Sequence, residues 1–153
     1  MTGRLSAIVT LAPHVVTSAT LIVETQGQGF TEITDALTEF VSKSGAADGV
    51  LFVYLRHTSA SLTIQENADP DVRIDLLRAL DQLAPMGGDW IHSVEGPDDM
   101  PAHVRAMLTG VSLHVPVAGG ELGLGTWQGV YLIEHRRAPH RREVILQFIG
   151  SRK

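Results

Sequence analysis

Residues 57 to 77, "HTSASLTIQENADPDVRIDLL", gather a histidine, four hydroxyl side chains, a glutamate and an asparagine just ahead of a helix start. A segment that only built a fold would need far fewer polar side chains, so this stretch is a candidate for chemistry. Strand alternation puts Leu51, Val53, Leu55 and His57 on one face, with His57 ending a buried apolar row. There the imidazole either satisfies a backbone carbonyl at the core rim or opens into a pocket. Ser59 and Ser61 continue that face and make it polar, while Thr58 and Thr63 face the other way. Glu66 and Asn67 precede a helix whose free first-turn N–H groups suit an anion. Glu66 therefore has two readings: it complements the helix dipole, or it is an acid–base group or metal ligand aimed at His57.

Further along, His92 sits in a glycine-rich loop and His103 in the first turn of a helix. With His57 they could supply three neutral imidazoles, a common catalytic zinc set that leaves a position open for water or substrate. The spacings match no compact metal motif such as HExxH, and each loop histidine could equally be solvated. Asp98 and Asp99 could orient an imidazole or cap the helix that begins at Pro101. His14, His114, His135 and His140 read as strand or turn residues. "EHRRAPHRRE" clusters Arg136, Arg137, Arg141 and Arg142 around one turn, either a solvated tip or a fork for phosphate oxygens. "GLGTWQG" is no dinucleotide or Walker fingerprint; its glycines mark a bulge or a close backbone approach, here beside a ligand.

Composition bounds these readings. The 153 residues, 44% of them hydrophobic, fit one ordinary globular domain spanning 1–153 with a real core. No apolar run reaches the roughly 18 residues of a membrane span, so none is expected. A net charge of −5 argues against a nucleic-acid role, which usually brings a basic face. The absence of cysteine excludes disulfides and thiolate metal sites, and the expected address is the cytoplasm. The N-terminal alternation with Ser and Thr reads as a strand, not as a signal peptide.

The elements that must position these residues follow from patterning. "LSAIVTLA" and "HVVTSATLIVET" read as strands separated by Pro13. "GFTEITDALTEFVSKSG" reads as a helix capped by Thr31, with Ile33, Leu37, Phe40 and Val41 as its stripe and Gly45 as its stop. "GVLFVYLRH" is a buried strand, and "SASLTIQE" continues it or pairs beside it. Asp69, Pro70 and Asp71 open the second helix, whose stripe is Val72, Leu76, Leu80 and Leu83. "MGGDWIHSVEGPDDM" is a loop and "PAHVRAMLTG" a short helix. "VSLHVPV", "LGTWQGVYLIEH" and "REVILQFIG" are strands joined by "AGG" and "RRAPH". Strands at both ends with helices between predict an α+β domain: a mainly antiparallel sheet with two longer helices and one short one.

"HTSASLTIQENADPDVRIDL", "WIHS", "PAHVRAMLTG" and "LGLGTWQGVYLIEHR" resemble, in order, the motif blocks of the YjbQ-like family, commonly labelled secondary thiamine-phosphate synthase. The resemblance implies a compact α+β protomer in a homotrimer. It puts His57, His92 and His103 on the family's histidine positions, Glu66, Asn67, Asp69 and Gln128 on its polar ones, and Arg141 on a basic one. Departures are His135 in place of an aromatic residue, "RRAPH" in place of a Gly-Pro-Arg-like turn, and an "EGPDDMPAH" loop poorer in Asn and Gly. The implied activity joins a pyrimidine diphosphate to a thiazole phosphate and releases pyrophosphate. Such a site needs phosphate-binding groups and usually a divalent metal, zinc or magnesium. On this reading Glu66, His57 and His103 are catalytic, and His57, His92 and His103 hold the metal. Ser59, Asn67, Gln128 and Arg141 receive the phosphorylated substrate. The alternatives are a metal-dependent hydrolase of a small ester or amide, with Glu66 activating water, and a non-catalytic trimeric anion- or metal-binding module.

Overall fold

The computed structural model describes residues 3–153. Among them run β1 (Val15–Glu24), β2 (Gly29–Glu32), α1 (Thr34–Lys43), β3 (Ala46–Leu55), β4 (Ala60–Glu66), α2 (Pro70–Leu83), α3 (Asp99–Thr109), β5 (Ser112–Ala118), β6 (Glu121–Leu122), β7 (Gln128–Glu134) and β8 (Arg141–Arg152). Two sheets form, ordered β1-β8-β3-β5-β6 and β2-β7-β4, and their pairings are antiparallel. The chain is therefore α+β, as its patterning predicts.

Alternation decides which face of each strand is inside. Leu51, Val53 and Leu55 of β3 and Val144, Leu146 and Phe148 of β8 point inward, while Phe52 and Tyr54 point out. Ala60 and Leu62 of β4, Val130 and Leu132 of β7, and Leu37 and Val41 of α1 complete the core between the sheets. Burial of this kind contributes about 1.5–3 kcal/mol per large apolar side chain. The opposite face of the smaller sheet meets the α2 and α3 layer. There Leu76 and Leu80 lie with Phe30, Thr63 and Ile133 around a small cleft, and Arg73 stacks over the Tyr131 ring.

Several expectations are corrected. "LSAIVTLA" forms no strand, because β1 pairs only with β8 and no partner edge reaches residues 5–12. Residues favouring the extended state still need a ladder to make one. Thr31 is not a helix cap: it lies in β2 opposite Leu132, and the helix starts at Thr34. Gly29–Glu32 is drawn into β2 by the edge that β7 offers, and Thr34 Oγ1 accepts the Val130 N–H at 2.9 Å to lock the switch. Gly45, with φ +65, ends α1 as expected. "SASLTIQE" does not continue β3 but joins the other sheet, beside β7. The third helix begins at Asp99, before Pro101, and its 11 residues make it no shorter than the 10 of α1. The strand block "LGTWQGVYLIEH" opens at Gln128 rather than Leu124, since Gln128 folds back on Gly125 through both its backbone N–H and its side chain.

Candidate functional site

The inward rows of both sheets turn polar at one end. Glu134 lies two residues beyond Leu132 on β7, and Arg142 two before Val144 on β8, so strand alternation aims both between the sheets. They form a fully buried ion pair, Arg142 Nε to Glu134 Oε2 at 2.7 Å. Burial alone would raise the Glu134 carboxyl. The Arg142 guanidinium, the Arg136 N–H and the Thr25 hydroxyl outweigh it and hold the group below the usual carboxylate range. Arg142 Nη2 also donates to Ser59 Oγ at 3.0 Å. Ser59 in turn meets His57: its backbone N–H donates to Nδ1 at 3.1 Å, and its hydroxyl lies 3.0 Å from the same nitrogen. Partial burial first, then the Arg142 charge, keep the His57 pKa below its ordinary value.

A second cluster adjoins this one. Asp99, in the first turn of α3, is buried, and its Oδ2 lies 2.8 Å from His92 Nε2 and 3.1 Å from His103 Nε2. Asp99 and His103 are one helical turn apart, which places both side chains on one face. Arg136 braces the carboxylates, donating to Asp98 Oδ2 at 3.1 Å and to Asp99 Oδ1 at 2.5 Å. It also donates to the Glu95 carbonyl, tying the loop down. Burial would raise the Asp99 carboxyl, but the His92 bond and the Arg136 charge leave it lowered. Asp98 makes no cap bond to α3; its carboxylate serves Arg136 and the Arg137 N–H instead.

The histidine pair carries an electrostatic signature. His103 Nδ1 lies 3.0 Å from the Thr58 carbonyl, to which only a ring N–H can donate. In the neutral ring Nε2 is then an acceptor, and it faces the Asp99 carboxylate, also an acceptor. Two acceptors at 3.1 Å need a cation between them, either a further proton or a metal. A histidine whose other ring N–H goes to a backbone carbonyl is the usual arrangement of a metal ligand. Single donor atoms from His92, Glu95, Asp99 and His103 all lie within 4.8 Å of one another, so this donor set fits a divalent ion. His57 is not among that group.

The remaining expected residues lie elsewhere. The ladder pairs Ala60 with Glu134 at one end of β4 and Glu66 with Gln128 at the other. Six steps of about 3.4 Å separate the ends by roughly 20 Å. At the far end each polar side chain has a structural partner. The Glu66 oxygens accept the Ala68 and Asp69 N–H groups at 3.1 and 2.8 Å. Asp69 caps α2 through the Asp71 N–H. Asn67 Nδ2 donates to the Thr126 and Gln128 carbonyls, and Gln128 Oε1 accepts the Gly125 N–H at 2.8 Å. Gly129 reflects close approach within the fold itself: a Cβ there would meet Glu32 Oε1 at 2.8 Å and the Asn67 Cβ at 3.1 Å. Arg141 is exposed and pairs with Glu143 at 3.0 Å. The sequence alone did not single out Glu134 or Glu95, and it placed Arg136 and Arg142 only within a turn cluster, as a solvated tip or a phosphate fork. The parity of "REVILQFIG" could have chosen Arg142 over Arg141, because it shares a face with Val144, Leu146 and Phe148.

Residues 19–151 match the family model described as UPF0047 protein YjbQ-like. The chain belongs to that family. The UPF0047 protein sll1880 of Synechocystis is 52% identical over 132 residues, 86% of this chain and 90% of the relative. The UPF0047 protein YjbQ of Salmonella typhimurium is 42% identical, over 86% of this chain and 96% of its own. Among solved structures, the hypothetical protein APE1520 from Aeropyrum pernix superposes with TM-score 0.82 at 31% identity, covering 88% of this chain and 99% of that one. A YjbQ/UPF0047 protein from Clostridium acetobutylicum gives 0.77 at 39% identity, covering 86% and 98%. The family match thus runs from within β1 to within β8. No helix among the described residues is long and apolar enough to cross a membrane.

Proposed function

We propose that the end of the fold bearing His57, His92, Asp99 and His103 is a metal-assisted site for a small phosphorylated substrate. The observation that carries this is His103 Nε2 facing Asp99 Oδ2 at 3.1 Å while its Nδ1 is taken by the Thr58 carbonyl, with His92 on the same oxygen at 2.8 Å. His92, Asp99 and His103, joined by Glu95, would hold the ion. A divalent ion, zinc first because imidazoles suit it and magnesium second, would neutralise charge on phosphate oxygens. Arg136 fixes Asp99, and the Glu134–Arg142–Ser59 chain fixes His57 beside the ion.

The finer reading is a secondary thiamine-phosphate synthase, the label that the family resemblance suggests. The thiazole ring nitrogen attacks the methylene carbon of the pyrimidine diphosphate, the carbon–oxygen bond breaks, and pyrophosphate leaves with the electron pair. The protein's share is to hold both substrates and disperse the negative charge that develops on the departing group. With such phosphorylated precursors as substrates, the proposed address is the cytoplasm. The unit is proposed to be a homotrimer, consistent with Val16, Phe52 and Tyr54 standing exposed on the outer face of the larger sheet.

The experiment supplies both substrates to zinc- and magnesium-loaded protein and follows thiamine phosphate and pyrophosphate separately. Product that requires both substrates and metal supports the synthase. Metal-dependent cleavage of either substrate alone moves the function to a hydrolase. No turnover with tight anion binding leaves a binding module.

A further inference from the structure

One peptide group sets two histidines in opposite tautomers. The Thr58–Ser59 amide gives its C=O to His103 Nδ1 at 3.0 Å and its N–H to His57 Nδ1 at 3.1 Å. A carbonyl can only accept, so His103 carries a proton on Nδ1, and in the neutral ring Nε2 offers a lone pair. A backbone N–H can only donate, so His57 Nδ1 is the bare nitrogen and the ring proton sits on Nε2. The Ser59 hydroxyl reinforces this. Its oxygen accepts from Arg142 Nη2 at 3.0 Å, so its hydrogen is free to point at the same His57 nitrogen 3.0 Å away. Arg142 is locked in turn by the buried Glu134.

We infer that His57 is the anion-binding donor of the site rather than a metal ligand, presenting Nε2–H to a phosphoryl or other anionic oxygen. This inference rests on the reading of the His92/Asp99/His103 cluster as the working site. The histidines then divide the labour. His103, and His92 across Asp99, take the cation, while His57 takes the negative oxygen that cation attracts. To ligate a metal through Nε2, a neutral His57 would have to move its proton to Nδ1. That would set a ring N–H against the Ser59 backbone N–H and forfeit a hydrogen bond. Ser59, Arg142 and Glu134 are positioning residues that act through His57. His57 itself is exposed while Ser59, Glu134 and Arg142 are buried, so its ring is the part of this hydrogen-bonded relay that is open to a ligand.

The test is long-range ¹H–¹⁵N correlation of the histidine rings in the labelled full-length protein, with His57→Gln and His103→Gln providing assignments. His57 should appear as the Nε2–H tautomer with and without zinc. On addition of inorganic phosphate its Nε2–H resonance should move downfield. His103 should appear as the Nδ1–H tautomer, with Nε2 shifting on zinc binding. Phosphate affinity, measured with and without zinc, should fall roughly 10- to 100-fold in His57→Ala, the worth of one hydrogen bond to a charged group. Zinc stoichiometry should stay that of the parent. Ser59→Ala keeps the amide, and therefore the tautomer, and should lose less phosphate affinity than His57→Ala. An Nδ1–H tautomer at His57, a zinc-induced shift of its Nε2, or unchanged phosphate affinity in His57→Ala each overturns the inference. A His103 ring indifferent to zinc overturns the metal reading instead, and leaves the His57 assignment to the phosphate titration of the metal-free protein.

Discussion

Glu134 and Arg142 pair between the two sheets with about 1% of either side chain exposed. Each reaches this place by simple alternation, one at the end of the inward row of β7 and the other at the start of the inward row of β8. Their pair closes the polar end of an otherwise apolar interior and holds Ser59 under His57. Removing one partner strands a charge that water cannot reach. Glu134→Ala should therefore cost about 3 to 5 kcal/mol in urea unfolding. The double change Glu134→Leu with Arg142→Met should recover most of that stability while loosening His57. A Glu134→Ala protein as stable as the parent would mean that the pair is solvated.

Metal content gives the second prediction. Elemental analysis after zinc loading and gentle dialysis should find about one ion per chain. Asp99→Asn and His103→Ala should each lower retention by an order of magnitude or more, since both alter the facing pair at the site. Arg136→Ala should lower it less, because it frees Asp99 to rotate without removing a donor. Equal zinc content in the parent and His103→Ala would end the assignment.

The third concerns acid. His135 is buried against Ser61 Oγ at 2.8 Å, its Nδ1 has no partner, and burial followed by the Arg105 charge pushes its pKa down to about 4 from 6.5. The unfolded chain therefore takes up a proton at a higher pH than the folded one. Stability is full above pH 6.5 and declines as pH falls toward about 4. The loss is about 3 kcal/mol at most for a shift of this size. The lowered carboxyls of Glu134 and Asp99 add their own loss as pH falls from their unfolded values of 4.5 and 3.8 through their folded ones, so Glu134 overlaps only the acid end of this range. His135→Phe should flatten the curve between pH 6.5 and 4 when unfolding is followed across that range. A parent curve already flat there would show that His135 is solvated.

Glu66 gives the fourth. Its oxygens hold two backbone N–H groups ahead of α2, so Glu66→Ala should lose about 1 kcal/mol of stability, the scale of a helix-start cap. At roughly 20 Å from the histidines, by strand geometry, it should leave zinc and phosphate binding in a protomer unchanged. A large drop in turnover for Glu66→Gln, with binding intact, would instead return it to the chemistry.

Local sequence determined much of this protein. Asp69 and Pro70 announce the start of α2 because a cap and a fixed φ act within a few residues. Leu51, Val53 and Leu55 reveal a buried face because alternation is a property of one strand. The histidines, the cysteine-free composition and the α+β order were legible on the same terms, and the motif blocks pointed to the family. Pairing was not legible, because hydrogen-bond ladders join residues far apart in the chain. "LSAIVTLA" has strand-forming residues but no edge to join, and Gly29–Glu32 is a strand only because β7 lies open beside it. The same limit divides the polar stretch of residues 57–77. His57 and Ser59 belong to one end of β4 and Glu66 and Asn67 to the other, and nothing along the chain says that the strand between them keeps them apart. Arg142 rather than Arg141, Asp99 between two imidazoles, and one amide holding two histidines in opposite tautomers arise only where β4, β7, β8 and α3 meet. Hydrogen-bond direction and burial are properties of that meeting, and tertiary structure alone decides them.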